Sequence, residues 1–361
     1  MNDTPQTPDP IRGSARGDAA VPLSVLDLAT VSSGSDVATA LRTTTDNARQ
    51  AEALGYHRLW VAEHHSMPGI ASSSPAVLLA HLAAATDTIR LGSGGVMLPN
   101  HAPLVVAEQF GTLEALHPGR IDLGLGRAPG TDQATMRALR RHNDPDPDDF
   151  DGQLDELVGF LDDAFGPRHP YAHIHAVPGP VQAKLSGTTA SRPPIWLLGS
   201  SGYGARLAGQ LGLPFAFAHH FAARNTLPAL ELYRENFMPS TVLDRPYAMV
   251  AASAVAADTE YEAARLARTM GLAMLRVRGG RPGLMPSPEE AEAYRYSDAE
   301  AEFVHSWLAN VAFGEPHAVR QELDELIKAT QADELMIVSN VHGHETRLRS
   351  FRLIAEAYGM A

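Results

Sequence analysis

Arg120-Ile121-Asp122-Leu123-Gly124-Leu125-Gly126-Arg127 is an apolar run closed by two glycines and an arginine. Runs of this kind form strands buried on both faces, as in parallel sheets covered by helices. Ligands of such sheets sit at the C-terminal strand ends. The glycines there let a ligand approach the backbone, and Arg127 is a cation suited to clamping a phosphate. A surface arginine after a strand bulge fits the same residues. The segment therefore points to a fold class and leaves the ligand open.

The pattern repeats on both sides of this segment. Residues 23–27, 58–62 and 89–94 read as strands one to three, and 121–125 as strand four. Residues 194–198, 215–218, 247–255 and 334–338 read as strands five to eight. Helical periodicity lies between them, at 36–54, 75–86, 104–116, 152–164, 203–211, 227–236, 259–275, 317–330 and 345–358. Gly55 closes the first helix as a C′ residue, and Ser74-Pro75 reads as the N-cap and first turn of the second. Eight strands alternating with helices over 361 residues predict an α/β fold, a (β/α)8 TIM barrel. A doubly wound open sheet is the alternative. Two insertion loops interrupt the rhythm. Residues 166–192, before strand five, are rich in Pro, Gly, His and Ser; residues 278–296, after strand seven, contain Gly279-Gly280-Arg281-Pro282-Gly283. Loops of this length are commonly lids or disordered segments.

Composition narrows the function. At 44% hydrophobic and 20% charged residues the chain can bury a large core. Its formal net charge of −13 argues against a nucleic-acid partner or an anionic membrane surface. A local arginine or helix N-terminus still allows an anionic cofactor. With no cysteine, disulfides, thiolate metal sites and cysteine nucleophiles are excluded, and a cytoplasmic location is expected. No run reaches the ~18 apolar residues of a membrane helix. Residues 1–20, with Pro5, Pro8, Pro10, Gly13 and Gly17 among polar residues, read as a disordered tail ahead of one barrel domain at 21–361.

Four groups of residues could carry chemistry. Strand two ends in Ala62-Glu63-His64-His65, which aims histidines at the ligand mouth as acid–base candidates or as a structural pair. Strand three ends in Gly92-Ser93-Gly94-Gly95-Val96-Met97-Leu98-Pro99, where the glycines fit an unusual backbone or a flat ligand packed on it. Gly199-Ser200-Ser201-Gly202-Tyr203 leads from strand five into a helix and offers hydroxyls and N–H groups to a phosphate. The fourth group, His101, His219, His220, His342 and His344, invites a metal-dependent hydrolase reading. No strand carries a His-x-His with a carboxylate, so no metal is expected.

These motifs together resemble the bacterial luciferase-like, flavin-dependent monooxygenases over roughly residues 23–358. Trp60-Val61-Ala62-Glu63-His64-His65 is similar to the family's strand-two signature. Gly94-Gly95 matches the pair whose non-proline cis peptide underlies the flavin ring. Gly119 to Arg127 is similar to the strand-four motif that ends in a phosphate-binding arginine. Gly199-Ser200-Ser201 resembles the segment that holds the phosphate and ribityl chain. The run Gly-Ser-Gly-Gly-Val-Met-Leu-Pro-Asn-His-Ala-Pro looks closest to relatives associated with antibiotic tailoring. Gly126 and His219 depart from luciferase itself, so light emission is not expected.

The resemblance implies a flavin-dependent monooxygenase in which reduced FMN, supplied by a separate reductase, reacts with dioxygen through a C4a-peroxyflavin and oxidises a small organic substrate. It assigns His64, with His65 as the next candidate, to proton handling. It assigns Gly94 and Gly95 to the flavin ring, and Arg127, Gly199, Ser200 and Ser201 to its phosphate. The 278–296 loop becomes a lid, and a homodimer is expected. Three alternatives stand beside this reading: a deazaflavin-dependent hydride-transfer enzyme, a non-catalytic flavin-binding protein and the metal-dependent hydrolase.

Overall fold

The computed structural model describes residues 10–128, 131–139 and 149–360. Eight parallel strands form the barrel. They are β1 (Leu23–Asp27), β2 (Arg58–Val61), β3 (Arg90–Ser93), β4 (Ile121–Gly126), β5 (Ile195–Gly199), β6 (Phe215–Phe217), β7 (Ala248–Ala256) and β8 (Glu334–Val338). Neighbours pair in sequence order, β8 pairs with both β7 and β1, and the sheet therefore closes on itself. Closure rules out the open doubly wound alternative. β1, β2, β4 and β7 are buried along their whole length, as expected of strands with helices outside and side chains inside.

The barrel interior is apolar towards the mouth and ionic towards the base. Trp60 and Trp196 meet edge to face with centroids 5.2 Å apart. In β3, glycine is required at position 92, because a Cβ there would lie 2.5 Å from the Trp60 indole nitrogen. Near the strand starts, fully buried Arg58 donates to Asp122 at 2.8 Å and to Glu334 at 2.8 Å. Arg90 reaches the other oxygen of Asp122 at 2.5 Å, and the Tyr247 hydroxyl donates to Glu334 at 3.0 Å. Every charge in this cluster is paired, which is the condition for burying it; removing one partner would leave a charge stranded.

The insertions differ from the expectation. The segment before β5 carries helices Gln133–Leu139 and Pro180–Ser186 beside the expected one, Phe150–Asp162. After β7, helix Glu260–Arg278 runs three residues beyond the 259–275 pattern, and Pro288–Ala293 and Asp298–Leu308 are helices. A strand at Ala312–Gly314 extends the sheet beside β7. The 278–296 stretch is thus only partly loop. Ser287 and Ser297 each start a helix through a capping box with the glutamate three residues on, a signal missed at both sites. Ser74 makes no side-chain cap bond, whereas Gly55 takes the positive φ of +80° expected at C′.

The N-terminal expectation also needs correcting. Its first nine residues lie outside the described ones, but residues 10–20 are ordered against the barrel base. Ile11 is buried beside the interior residues, and its carbonyl accepts from Arg58 at 2.6 Å. Arg12 pairs with Asp244 at 2.7 Å, and the Asp18 N–H donates to the Tyr358 carbonyl at 2.7 Å. Proline and glycine content suited a tail, but one apolar side chain and one carbonyl have partners inside the base. No helix among the described residues is long and apolar enough to cross a membrane.

Candidate active site

The C-terminal strand ends surround a cavity of about 390 Å³. Its floor includes Leu26, Trp60 and Gly94, and its rim includes Arg127, Ser200 and Ser201. The Gly94–Gly95 peptide is cis, as the resemblance implied. A Cβ at Gly94 would meet Leu26 at 2.9 Å and Trp60 at 3.1 Å, so only glycine sits there without displacing the floor. Gly95 abuts the next strand instead, where a Cβ would lie 2.8 Å from the Gly124 carbonyl.

The rim suits an anion. Helix Gly202–Leu211 starts there with Ser201 as N-cap residue, and the Ser201 side chain makes no cap bond. Uncapped N–H groups and the helix dipole favour negative charge at such an end. Arg127 leaves β4 and lies with its guanidinium carbon 4.0 Å from the Tyr203 ring centroid, which holds a cation beside that helix start.

The two candidate histidines separate. His64 lines this cavity and also a second one, of about 330 Å³, that adjoins it on the side of the 282–285 loop. His65 turns to the other side. Its Nε2 is 2.8 Å from Oε1 of fully buried Glu63, and Nε2 of His101 is 2.8 Å from the same oxygen. The other Glu63 oxygen accepts the Met97 N–H at 3.2 Å. Burial pushes the Glu63 carboxyl up, but bonds from His101, His65 and Met97 more than offset it and hold it below the usual range. Donor atoms of Glu63, His65 and His101 all lie within 4.8 Å of one another, a grouping that strand-by-strand reading could not see. Glu63 uses both oxygens to tie the end of β2 to the segment after β3.

His220, which the sequence offers only as a metal candidate, lines both cavities. Its Nδ1 donates to the Ala251 carbonyl at 3.0 Å, which leaves Nε2 as the lone-pair nitrogen. Burial lowers its pKa to about 4, so the ring stays neutral. Burial lowers that of His219 as well, whose Nδ1 is 2.8 Å from the Thr226 hydroxyl.

Residues 21–334 match the family model of the luciferase-like monooxygenases. The chain belongs to that family. A luciferase-like monooxygenase of Escherichia coli strain K12 is 48% identical over 336 residues, 93% of this chain and 96% of that one. The N-acetyl-S-alkylcysteine monooxygenase of Bacillus subtilis strain 168 is 34% identical over 337 residues, 93% and 97% of the two chains. The crystal structure of apo-MsnO8 superposes with a TM-score of 0.84 at 38% identity, covering 94% of this chain and 98% of that one.

The chain is thus an oxidoreductase of the luciferase-like monooxygenase family, and the hydrolase reading falls away. Within the family's frame, His64, Gly94, Arg127, Gly199, Ser200 and Ser201 gather at one cavity, while His65 and Gly95 face its surroundings. Glu63 and His101 were legible as letters of two motifs but not as partners. Tyr203 and His220 had no distinguishing signal beyond their places after strands five and six.

Proposed function

We propose that this protein is a monooxygenase that binds reduced FMN, delivered by a separate reductase, and inserts one atom of dioxygen into a small organic substrate. The observation that carries the reading is Arg127 held over Tyr203 at an uncapped helix start, on the rim of a cavity whose floor requires glycine at position 94. That pairing of an anion seat with a flat apolar floor fits a flavin mononucleotide. Held there by these residues, reduced FMN would supply the two electrons with which dioxygen gives one atom to the substrate and the other to water.

The chain's own residues then have separate tasks. Arg127, the Ser200 and Ser201 hydroxyls and the helix N–H groups hold the phosphate. Leu26 and Trp60 exclude water from the ring, since leakage ends in hydrogen peroxide. His64, lining both cavities, holds or moves a proton between cofactor and substrate. We further propose a cytoplasmic homodimer. Exposed Val77, Val105 and Leu116 lie on two adjacent helices, Pro75–Ala84 and Pro103–Leu116, and offer an apolar face for a second copy.

Anaerobic titration with reduced FMN and with a reduced deazaflavin tests the cofactor. Tighter binding of FMN, then transfer of labelled oxygen from ¹⁸O₂ into a product, is expected. Tighter binding of the deazaflavin with hydride transfer and no oxygen incorporation would replace the reading with its alternative. Light scattering of the eluting protein tests the dimer.

A further inference from the structure

The second cavity has a chemistry of its own. Helix Glu260–Arg278 contributes Met270, Ala273 and Met274, and the loop after it contributes Pro282 and Met285. Met67 adds a fourth methionine. None of the described residues lining it is Asp, Glu, Lys or Arg. An ion entering it would lose its water and gain no opposite charge, a steep penalty. Flexible thioether side chains adapt to apolar shapes of varied outline.

Its few polar groups are placed to orient rather than to neutralise. The Thr30 hydroxyl donates to Asn340 Oδ1 at 3.3 Å, which sets the direction of that side-chain amide. His220 presents a neutral Nε2 at the boundary with the flavin-sized cavity, and His64 shares that boundary. Both cavities also share Leu28 and Phe221, so a molecule in the second lies beside whatever fills the first.

We propose that this second cavity is the substrate chamber and that it selects compact, uncharged, largely apolar molecules over carboxylates and other ions. Its volume of about 330 Å³ holds about ten water-sized groups at roughly 30 Å³ each. As the substrate site of an oxygenation, the chamber rests on the function proposed above; as a binding site it does not.

The test uses the whole protein, its methionine methyls labelled with ¹³C, and two probes of equal chain length, 2-nonanone and nonanoate. The neutral ketone should shift the methyl resonances of Met270, Met274 and Met285, and nonanoate should not. Ala273→Phe, which fills the chamber, should weaken ketone binding about ten-fold or more. Its FMN affinity should stay within about two-fold, because Ala273 lines the second cavity and not the first. Val277→Arg, at a rim position 39% exposed, should admit nonanoate. Equal binding of nonanoate by the unaltered protein overturns the proposal. So does a ketone response confined to Met97 and Met336 of the first cavity, or ketone binding untouched by Ala273→Phe. Ketone binding without FMN binding sinks the flavin reading and leaves the chamber standing; the reverse pattern sinks the chamber alone.

Discussion

The Arg127 guanidinium lies 4.0 Å from the centroid of the Tyr203 ring, so the end of β4 and the first turn of the helix after β5 meet at the mouth of the barrel. The Tyr203 hydroxyl donates to Asp151 at 2.5 Å, which fixes the ring from its far edge. A cation is thereby positioned before any ligand arrives. Arg127→Ala should weaken FMN binding by about 1.5–3 kcal/mol, the usual range for a hydrogen bond to a charged group. Flavin fluorescence titration measures it, and unchanged affinity in a folded variant removes Arg127 from the site.

His64→Ala should lower product formation by ~10²-fold or more, with FMN affinity changed far less than in Arg127→Ala. Product yield under single turnover, set beside the binding titration, separates the two effects. Full turnover with poor FMN binding would make His64 a cofactor-positioning residue. His65 is bound to Glu63, so His65→Ala should act on stability before it acts on turnover.

Glu63→Gln removes the charged acceptor shared by His65 and His101 and should cost about 1.5–3 kcal/mol of stability. The Glu63 pKa is depressed in the folded protein, so its contribution is present above the ordinary value of 4.5 and is lost as pH falls through the lower folded value. Urea unfolding across pH 3–7 is the measurement. A gap between wild type and variant that widens on acidification would contradict the assignment.

His220 should act in the same sense, over a window set by its own ordinary value. Its folded pKa, about 4, lies below the ordinary 6.5, so between those values the unfolded chain binds more protons and stability rises with pH. His220→Gln should flatten that rise by at most one proton, about 1.4 kcal/mol per pH unit. An unchanged slope would show that this ring titrates normally.

The stretch after helix Glu260–Arg278 is pinned at one point. Met285 exchanges backbone hydrogen bonds with Val31 and Ser33 at 2.9 and 2.8 Å, while Pro282 and Gly283 cover the second cavity. Shortening residues 280–283 should leave the barrel folded and raise the share of reducing equivalents lost as hydrogen peroxide. Coupling that survives the deletion would reduce the segment to a connector.

The barrel was legible because its eight strands are mostly apolar and each is followed by helical periodicity. The residues of the proposed anion seat were legible for a local reason: Arg127 and Gly199-Ser200-Ser201 each sit at or directly behind a strand end. Contacts between distant segments were not legible. Asp122 reads as a polar interruption in an apolar run until Arg58 and Arg90 arrive from β2 and β3. His101 reads as a loop residue until Glu63 meets it 38 positions away in sequence. Residues 10–20 carry turn-forming composition, and nothing local shows that Ile11 has a seat inside the barrel base.

That seat has a consequence for synthesis. Ile11 and Arg12 emerge from the ribosome early, yet Asp244, which holds Arg12, follows 232 residues later. At ~5–20 residues per second the wait is on the order of 10–50 s. Throughout it the stopper exists and the vessel does not. The nascent chain therefore carries Arg58 without its Glu334 partner, and an incompletely covered Trp60, while the later strands are still being made. Crowding and chaperone capture should bear hardest on this interval, before Asp244 and Glu334 emerge and the base can close.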